Sequence, residues 1–372
     1  MALASTTTPP LPLRPLSSAT DLTFSTMDAD ANADVWQWLT VCRDTQSLTP
    51  SIWDYVRAYG RTYHRYKAGA YPFPNDAQER ERLDMQHLII KALFDSRNYF
   101  APLKRPTRIL DIGCGTGKWC IEMAKEFPKA RVEGIDLSPI QPNNTPINCH
   151  FFIDDVRRKE WFHPAEPFTY IHTRFSTGIY RDFRRIIQKG FNNLEPGGWM
   201  ESQEIFTKVY CDDGTMPSDY PLLEWQQRSD EAAMAMGKPL RIANKVKMWY
   251  EQCGFLDVKE EVFAIPINAW NSCPRYKMLG KFFRWNICQG LHAWTVEYFC
   301  SVLGWTEVEV EVYLARLRMA VADKRVHAYY RVYVVWGRKP RLDEPPSKVP
   351  KPPSWPQELP EDDEEDDEVH YL

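Results

Sequence analysis

Three carboxylates and three glycines, spread over residues 111–155, carry the chemistry that is legible in this chain. Ile109-Leu110-Asp111-Ile112 reads as a buried strand that meets a turn at Gly113-Cys114-Gly115-Thr116-Gly117. An acid at a strand end followed by alternating glycines lets a ligand approach the backbone closely. The helix after such a turn aims its free N–H groups at that ligand. Two phosphate-binding readings fail on spacing. A P-loop needs Ser or Thr after Gly-Lys, and Gly117-Lys118 is followed by Trp119. The dinucleotide pattern G-x-G-x-x-G has its third glycine one residue later than Gly117.

The next two strands narrow the ligand. Arg131 to Leu137 ends in Asp136, placed to accept from both hydroxyls of a ribose. His150 to Val156 ends in Asp154 and Asp155, where Asp155 would accept from an adenine amino group and Val156 would lie against the ring. One adenosyl ligand across three strand ends fits all of these, with the glycine turn against an amino-acid end that Asp111 helps to orient. That ligand is S-adenosylmethionine (SAM). The cofactor-binding set is therefore Asp111, Gly113, Cys114, Gly115, Gly117, Asp136, Leu137, Asp155 and Val156.

These residues need a parallel sheet. A helix is predicted over Asp76 to Arg97, then the first strand, a helix over Trp119 to Phe127 and the two strands above. A strand over Phe168 to Thr173, a helix over Ile179 to Asn193 and a strand over Trp199 to Ile205 follow. Strands alternating with helices give an α/β, Rossmann-like doubly wound sheet, whose ligands lie at the carboxyl ends of the strands. Further on, a helix over Leu240 to Cys253 capped at Gly254, a strand over Val258 to Ile267, helices over Tyr276 to Leu303 and Glu307 to Ala322 and a last strand over Val326 to Trp336 are expected. Helical insertions at about 214–254 and 274–323 would form a lid.

Composition bounds the rest. The chain has 372 residues, 44% hydrophobic and 13% aromatic, enough for a sizeable core. No apolar run has the length of a membrane span, and no signal-peptide core precedes Thr26. Nine cysteines without C-x-x-C and eight histidines without H-x-x-x-H give no metal site, and a reducing compartment is expected. Residues 339–372 hold eleven acidic and four basic side chains and eight prolines. The whole chain is −4, so the remainder is near +3, with no basic stripe for nucleic acid. The domain is expected at 34–339, between a disordered segment at 1–33 and a Pro-rich, acidic disordered tail at 340–372.

Several longer runs are more specific. Gly60-Arg61-Thr62-Tyr63-His64, Asp136-Leu137-Ser138-Pro139-Ile140-Gln141-Pro142, Glu195-Pro196-Gly197-Gly198-Trp199 and Pro266-Ile267-Asn268-Ala269-Trp270 resemble the fungal LaeA-like methyltransferases, over roughly 53–340. The resemblance implies the seven-stranded class I fold, SAM as cofactor and Tyr63 in a segment covering it. It implies either methylation of a small specialised metabolite or a regulator of secondary metabolism working in a complex with a velvet-type protein. A departure stands at Tyr180-Arg181-Asp182-Phe183, where the family often has a tryptophan-containing turn. On the acceptor side, His172 is the candidate general base, with hydrogen bonding near the cofactor as its alternative role. Arg174 is a candidate for an acidic acceptor or the cofactor carboxylate. Trp270 and Trp285 are expected pocket walls. The enzyme would work in the cytoplasm, with the nucleus as the alternative.

Overall fold

The computed structural model describes residues 55–64, 73–157, 166–352 and 370–371. The expected terminal segment 1–33 and residues 353–369 of the tail lie outside the described residues. Every described element falls in one unit, 48–372. The sheet strands are β3 (Arg108–Ile112), β4 (Arg131–Asp136), β5 (Cys149–Ile153), β6 (Phe168–Arg174), β7 (Leu194–Tyr210), β8 (Leu256–Pro266), β9 (Tyr329–Arg338) and the short β10 (His370–Tyr371). A separate hairpin of β1 (Val56–Ala58) and β2 (Arg61–Tyr63) comes first.

The sheet order is β10-β5-β4-β3-β6-β7-β9-β8. The strands from β5 to β7 are parallel, β9 is antiparallel between β7 and β8, and β10 adds an antiparallel edge. The order reverses beside β3, so the crevice at the carboxyl ends opens where the glycine turn follows β3. This is a Rossmann-like α/β arrangement, as the alternation of strands and helices in the sequence implies.

Helices cover both faces, which is why β3 is buried from end to end. Leu110 and Ile112 join Ile186, Ile187 and Tyr250 on one side, the side of α3 (Phe183–Asn193) and α5 (Val246–Cys253). Ile109 joins Leu93, Trp119 and Met123 on the other, the side of α1 (Ala77–Leu93) and α2 (Lys118–Glu126). The remaining helices, α4 (Pro221–Ala235), α6 (Pro274–Ser301) and α7 (Glu307–Ala322), pack on one another, and α6 also packs on α1.

Two expectations change. Helix α5 packs on α3, β8 and β9, so it belongs to the sheet's own helical layer, and only α4 of the 214–254 insertion joins the lid. The Pro196-Gly197-Gly198 turn is a bulge inside β7: pairing jumps from Phe168–Leu194 to Tyr170–Trp199 without leaving the sheet. Gly254 caps α5 as expected, with positive φ and its N–H donating to Tyr250 O. Past residue 339, Glu344 pairs with Arg338 and Arg341, and the Ser347 N–H donates to Gly254 O, so the described chain keeps contact with the domain there.

The runs that carry the family resemblance have physical work. The Arg61 guanidinium forks onto Asp76, the N-cap of α1, with Nη2–Oδ1 at 2.7 Å. The Asn75 N–H donates to Thr62 O, so the hairpin is fastened to the helix start. Gln141 Nε2 donates to Gly115 O at 2.7 Å and to Ser138 O, clasping the glycine turn from outside.

Candidate active site

Alternation along adjacent strands puts Asp111, His172, Arg174 and Gln203 on the face toward α1 and α2, where they make one connected polar layer. Asp111 Oδ1 is 2.7 Å from His172 Nδ1, and Cys120 Sγ donates to Oδ2 at 3.5 Å. A carboxylate that accepts from a neutral imidazole leaves that ring's proton on Nδ1. His172 Nε2 is then an acceptor, buried and without a partner among the described residues. The ring is stacked flat on Trp119 at 4.0 Å. Arg174 donates from Nε to Gln203 Oε1 at 2.8 Å and from Nη1 to His87 Nδ1 at 3.1 Å. Burial lowers the pKa of His87, which keeps it an acceptor for the guanidinium. Its Nε2 lies 3.2 Å from Glu122, whose carboxyl burial would raise but His87 and Lys91 hold at about 2.

These groups border a cleft with Gly113, Gly115 and Phe175. Acceptors at Asp111 and His172 suit an ammonium, and the unspent nitrogen of Arg174 suits a carboxylate. That is the donor set of an amino-acid end. A second cleft follows at the ends of β4 and β5, lined by Gly113, Asp136, Leu137, Asp155, Val156 and Tyr180. Asp136 accepts from the Gly115 N–H at 2.8 Å and the Ser138 N–H at 2.9 Å, which fixes its carboxylate at the strand end with lone pairs to spare. Burial pushes its pKa up to about 6, with the two backbone donors working against the rise. Asp155 is forked by Arg157, with Nε 2.8 Å from each oxygen. Gly113 borders both clefts, its φ is +72°, and a Cβ there would meet no atom within 4 Å. The turn is a cradle whose open space a ligand fills, and the residues fit SAM.

A family model described as a methyltransferase domain matches residues 85–255. The methyltransferase pytC of Aspergillus terreus is 38% identical over 79% of this chain and 91% of its own length. The secondary metabolism regulator LAE1 of Cochliobolus heterostrophus is 30% identical over 76% of this chain and 94% of its own. The secondary metabolism regulator laeA of Aspergillus niger is 29% identical over 79% of each. The chain belongs to the LaeA-like methyltransferase family. It is a SAM-dependent methyltransferase.

The methyltransferase has a third space beside these clefts, a cavity of about 230 Å³. It shares Gly113, Gly115 and Asp136 with them and runs between α1, β7, α4 and α6. Its walls are mostly apolar, with Phe175, Trp225, Phe283, Ile287 and Trp294 prominent. Arg174 borders both this cavity and the amino-acid cleft.

The structure does not bring every candidate residue to these spaces. Gly117 borders none of them: its φ is +74°, and a Cβ there would stand 2.3 Å from the Phe151 ring, so this glycine serves packing. Trp270 is tied into the fold, its indole N–H donating to Ala328 O at 2.8 Å and its ring stacked on His327. Trp285 is half-buried on α6 and does not line the cavity, whereas its helix neighbour Phe283 does. Tyr63 sits on β2, outside the three spaces, with burial pushing its phenol up to about 12. His172 borders the amino-acid cleft and not the large cavity, which places it away from an acceptor there.

Sequence reading missed Gln86 and His87 on α1, because the helix precedes the glycine turn and shows only an apolar stripe. It also missed Tyr180, although the departure at Tyr180-Arg181-Asp182-Phe183 marked the place. Among the described residues, no group of three metal-ligating side chains comes together, and no helix is long and apolar enough to cross a membrane.

Proposed function

We propose that this methyltransferase methylates an acidic hydroxyl on a small, largely apolar molecule of fungal specialised metabolism. The cavity of about 230 Å³ that joins the cofactor clefts at Gly113, Gly115 and Asp136 is the observation that carries the reading. Bound SAM supplies an electrophilic methyl carbon, and the protein's share is placement, alignment and exclusion of water. The apolar walls strip water from a flat molecule and hold it beside the clefts. Among the described residues no imidazole or amine lines the cavity, and its Asp230 is paired with Arg241. A phenol, an enol or a carboxylic acid needs less help to lose its proton than an alcohol does. His172 is then a binding residue for the cofactor and not the base.

A second reading follows from the relatives named as regulators: a protein acceptor, in a complex with a velvet-type partner. Purified full-length protein incubated with methyl-labelled SAM and an extract of fungal mycelium separates the two. Label is expected in small organic-soluble molecules. Label confined to protein overturns the small-molecule reading.

A further inference from the structure

The polar groups that line the large cavity divide into those whose hydrogen bonds are spent inside the protein and those with one to spare. Arg82 is spent on Glu79, Gln86 and Asn286. The Trp225 indole N–H donates to Thr295 Oγ1, and Thr207 Oγ1 donates to Leu240 O. Thr177 is held by Glu204. Three hydroxyls are different, and all three belong to residues more than nine-tenths buried: Tyr330, Ser229 and Tyr298.

Tyr330 shows the direction of its unspent bond. The Val209 N–H donates to Gln226 Oε1 at 3.0 Å, which fixes the side-chain amide of Gln226. Gln226 Nε2 therefore donates to the Tyr330 oxygen, at 2.8 Å. The phenol oxygen has accepted, and its own proton has no acceptor among the described residues. Burial raises the Tyr330 pKa, so the proton stays on. Ser229 Oγ, one helical turn along α4 from Gln226, has no partner among the described residues. Neither has Tyr298 Oη, which lies against Gly178. A buried donor without an acceptor costs about 1–3 kcal/mol. Ser229 Oγ and Tyr298 Oη are closed off within the packing of the wall, so of the three it is the Tyr330 hydroxyl, in a mostly apolar cavity, that marks a place where something else supplies the acceptor.

We propose that this wall is a subsite for a carbonyl oxygen of the methyl acceptor, with Tyr330 as the specificity-determining donor, oriented by Gln226. The inference rests on the small-molecule reading above and deepens it. The substrate is then a ring compound with an acidic hydroxyl toward the cofactor and a ketone, lactone or ester carbonyl toward α4 and β9. A molecule of the same shape without that oxygen leaves the Tyr330 donor unmet, and a site built to bond oxygen rejects such a molecule strongly.

The test uses 1-tetralone and tetralin, two fused-ring probes that differ by the carbonyl oxygen. Their dissociation constants are measured on the full chain saturated with S-adenosylhomocysteine. Wild type is expected to bind tetralone at least tenfold more tightly than tetralin. Tyr330→Phe is expected to reduce that ratio at least fivefold while leaving S-adenosylhomocysteine affinity within threefold. Gln226→Glu, whose second carboxylate oxygen would take up the Tyr330 proton, carries the same test, with a smaller expected reduction, if Tyr330→Phe does not fold. Equal binding of the two probes to wild type, which is the result if water alone meets the Tyr330 hydroxyl, overturns the proposal. So does a preference for tetralone that survives both substitutions. Because the measurement needs no methyl transfer, its outcome is independent of whether label from SAM reaches a metabolite or a protein.

Discussion

Asp136 has to be ionised to accept from two ribose hydroxyls, yet its surroundings resist ionisation. Burial lifts its pKa to about 6, and the nearby Asp111 adds to the rise, while N–H groups of Ser138 and Gly115 oppose it. Two consequences have opposite sign. Cofactor affinity is expected to be constant above pH ~7 and to fall about tenfold per pH unit below pH ~6, as a proton competes with the ribose for the carboxylate. Asp136→Asn should bind SAM more weakly by about 2–3 kcal/mol at pH 8 and show no such fall. Titration calorimetry across that range checks both, and an affinity independent of pH in wild type would exclude the ribose role. For stability the sign reverses. A folded pKa above the unfolded one means that the fold is favoured most below about pH 4, and that this share is lost as pH rises through about 6. The melting temperature of wild type minus that of Asp136→Asn should accordingly be larger at pH 4.5 than at pH 7.5. The carboxylate that serves binding is one the fold would prefer to keep protonated.

At the level of elements, the three glycines of the turn after β3 look equivalent in the sequence and are not. Gly113 and Gly117 both have positive φ, so alanine at either costs about 1–2 kcal/mol from the backbone alone. Their surroundings separate them. At Gly117 the added methyl meets the Phe151 ring at 2.3 Å, whereas at Gly113 it meets open cleft. Gly117→Ala is expected to lower stability to urea by more than Gly113→Ala does. Gly113→Ala is expected to lose SAM affinity by at least tenfold with only the backbone cost in stability. Equal effects on both measurements would show that the turn acts as one unit and would remove the distinction. The strands and this turn were legible because the sheet is buried on both faces, leaving apolar runs that end in acids, and because those ends are where an α/β sheet binds ligands. The wall of the cavity proposed for the acceptor was less legible, although its signal was present. On α6, Phe283, Ile287, Trp294 and Tyr298 line the cavity, with spacings of 4, 11 and 15 residues from the first, which is one helical face. Trp285 lies two residues, about 200°, round the helix from Phe283. Residue type drew attention to that tryptophan; only the packing of α6 against α1 and α4 decides which face looks inward. The unspent proton of Tyr330 was beyond the sequence altogether, since it takes the Val209–Gln226–Tyr330 chain to show which bond remains.

For the whole molecule, the arrangement places a SAM-binding crevice, built from the sheet, against a cavity built largely from α4 and α6. The two parts meet at a few shared residues, so they can be perturbed separately. Ile287 is buried on α6, borders the cavity and touches neither cofactor cleft. Ile287→Phe places extra ring volume in a space of about 230 Å³ that has room for it, so the usual cost of overpacking a filled core is reduced. The expected outcome is SAM affinity within about threefold of wild type, under 1 kcal/mol. Methyl transfer to small molecules should fall at least tenfold in kcat/KM, because the acceptor loses its place beside the sulfonium and the alignment that proximity provides. Trp285→Ala, on another face of the same helix, should change neither quantity by more than about twofold, under 0.5 kcal/mol. Calorimetry and a labelled-methyl assay on the three proteins read both quantities. If Ile287→Phe transfers methyl groups as fast as wild type, the acceptor does not enter this cavity. If transfer to a protein is the only activity and survives the substitution, the methyl group leaves by an open face of the crevice, and the regulator reading takes the place of the metabolite one.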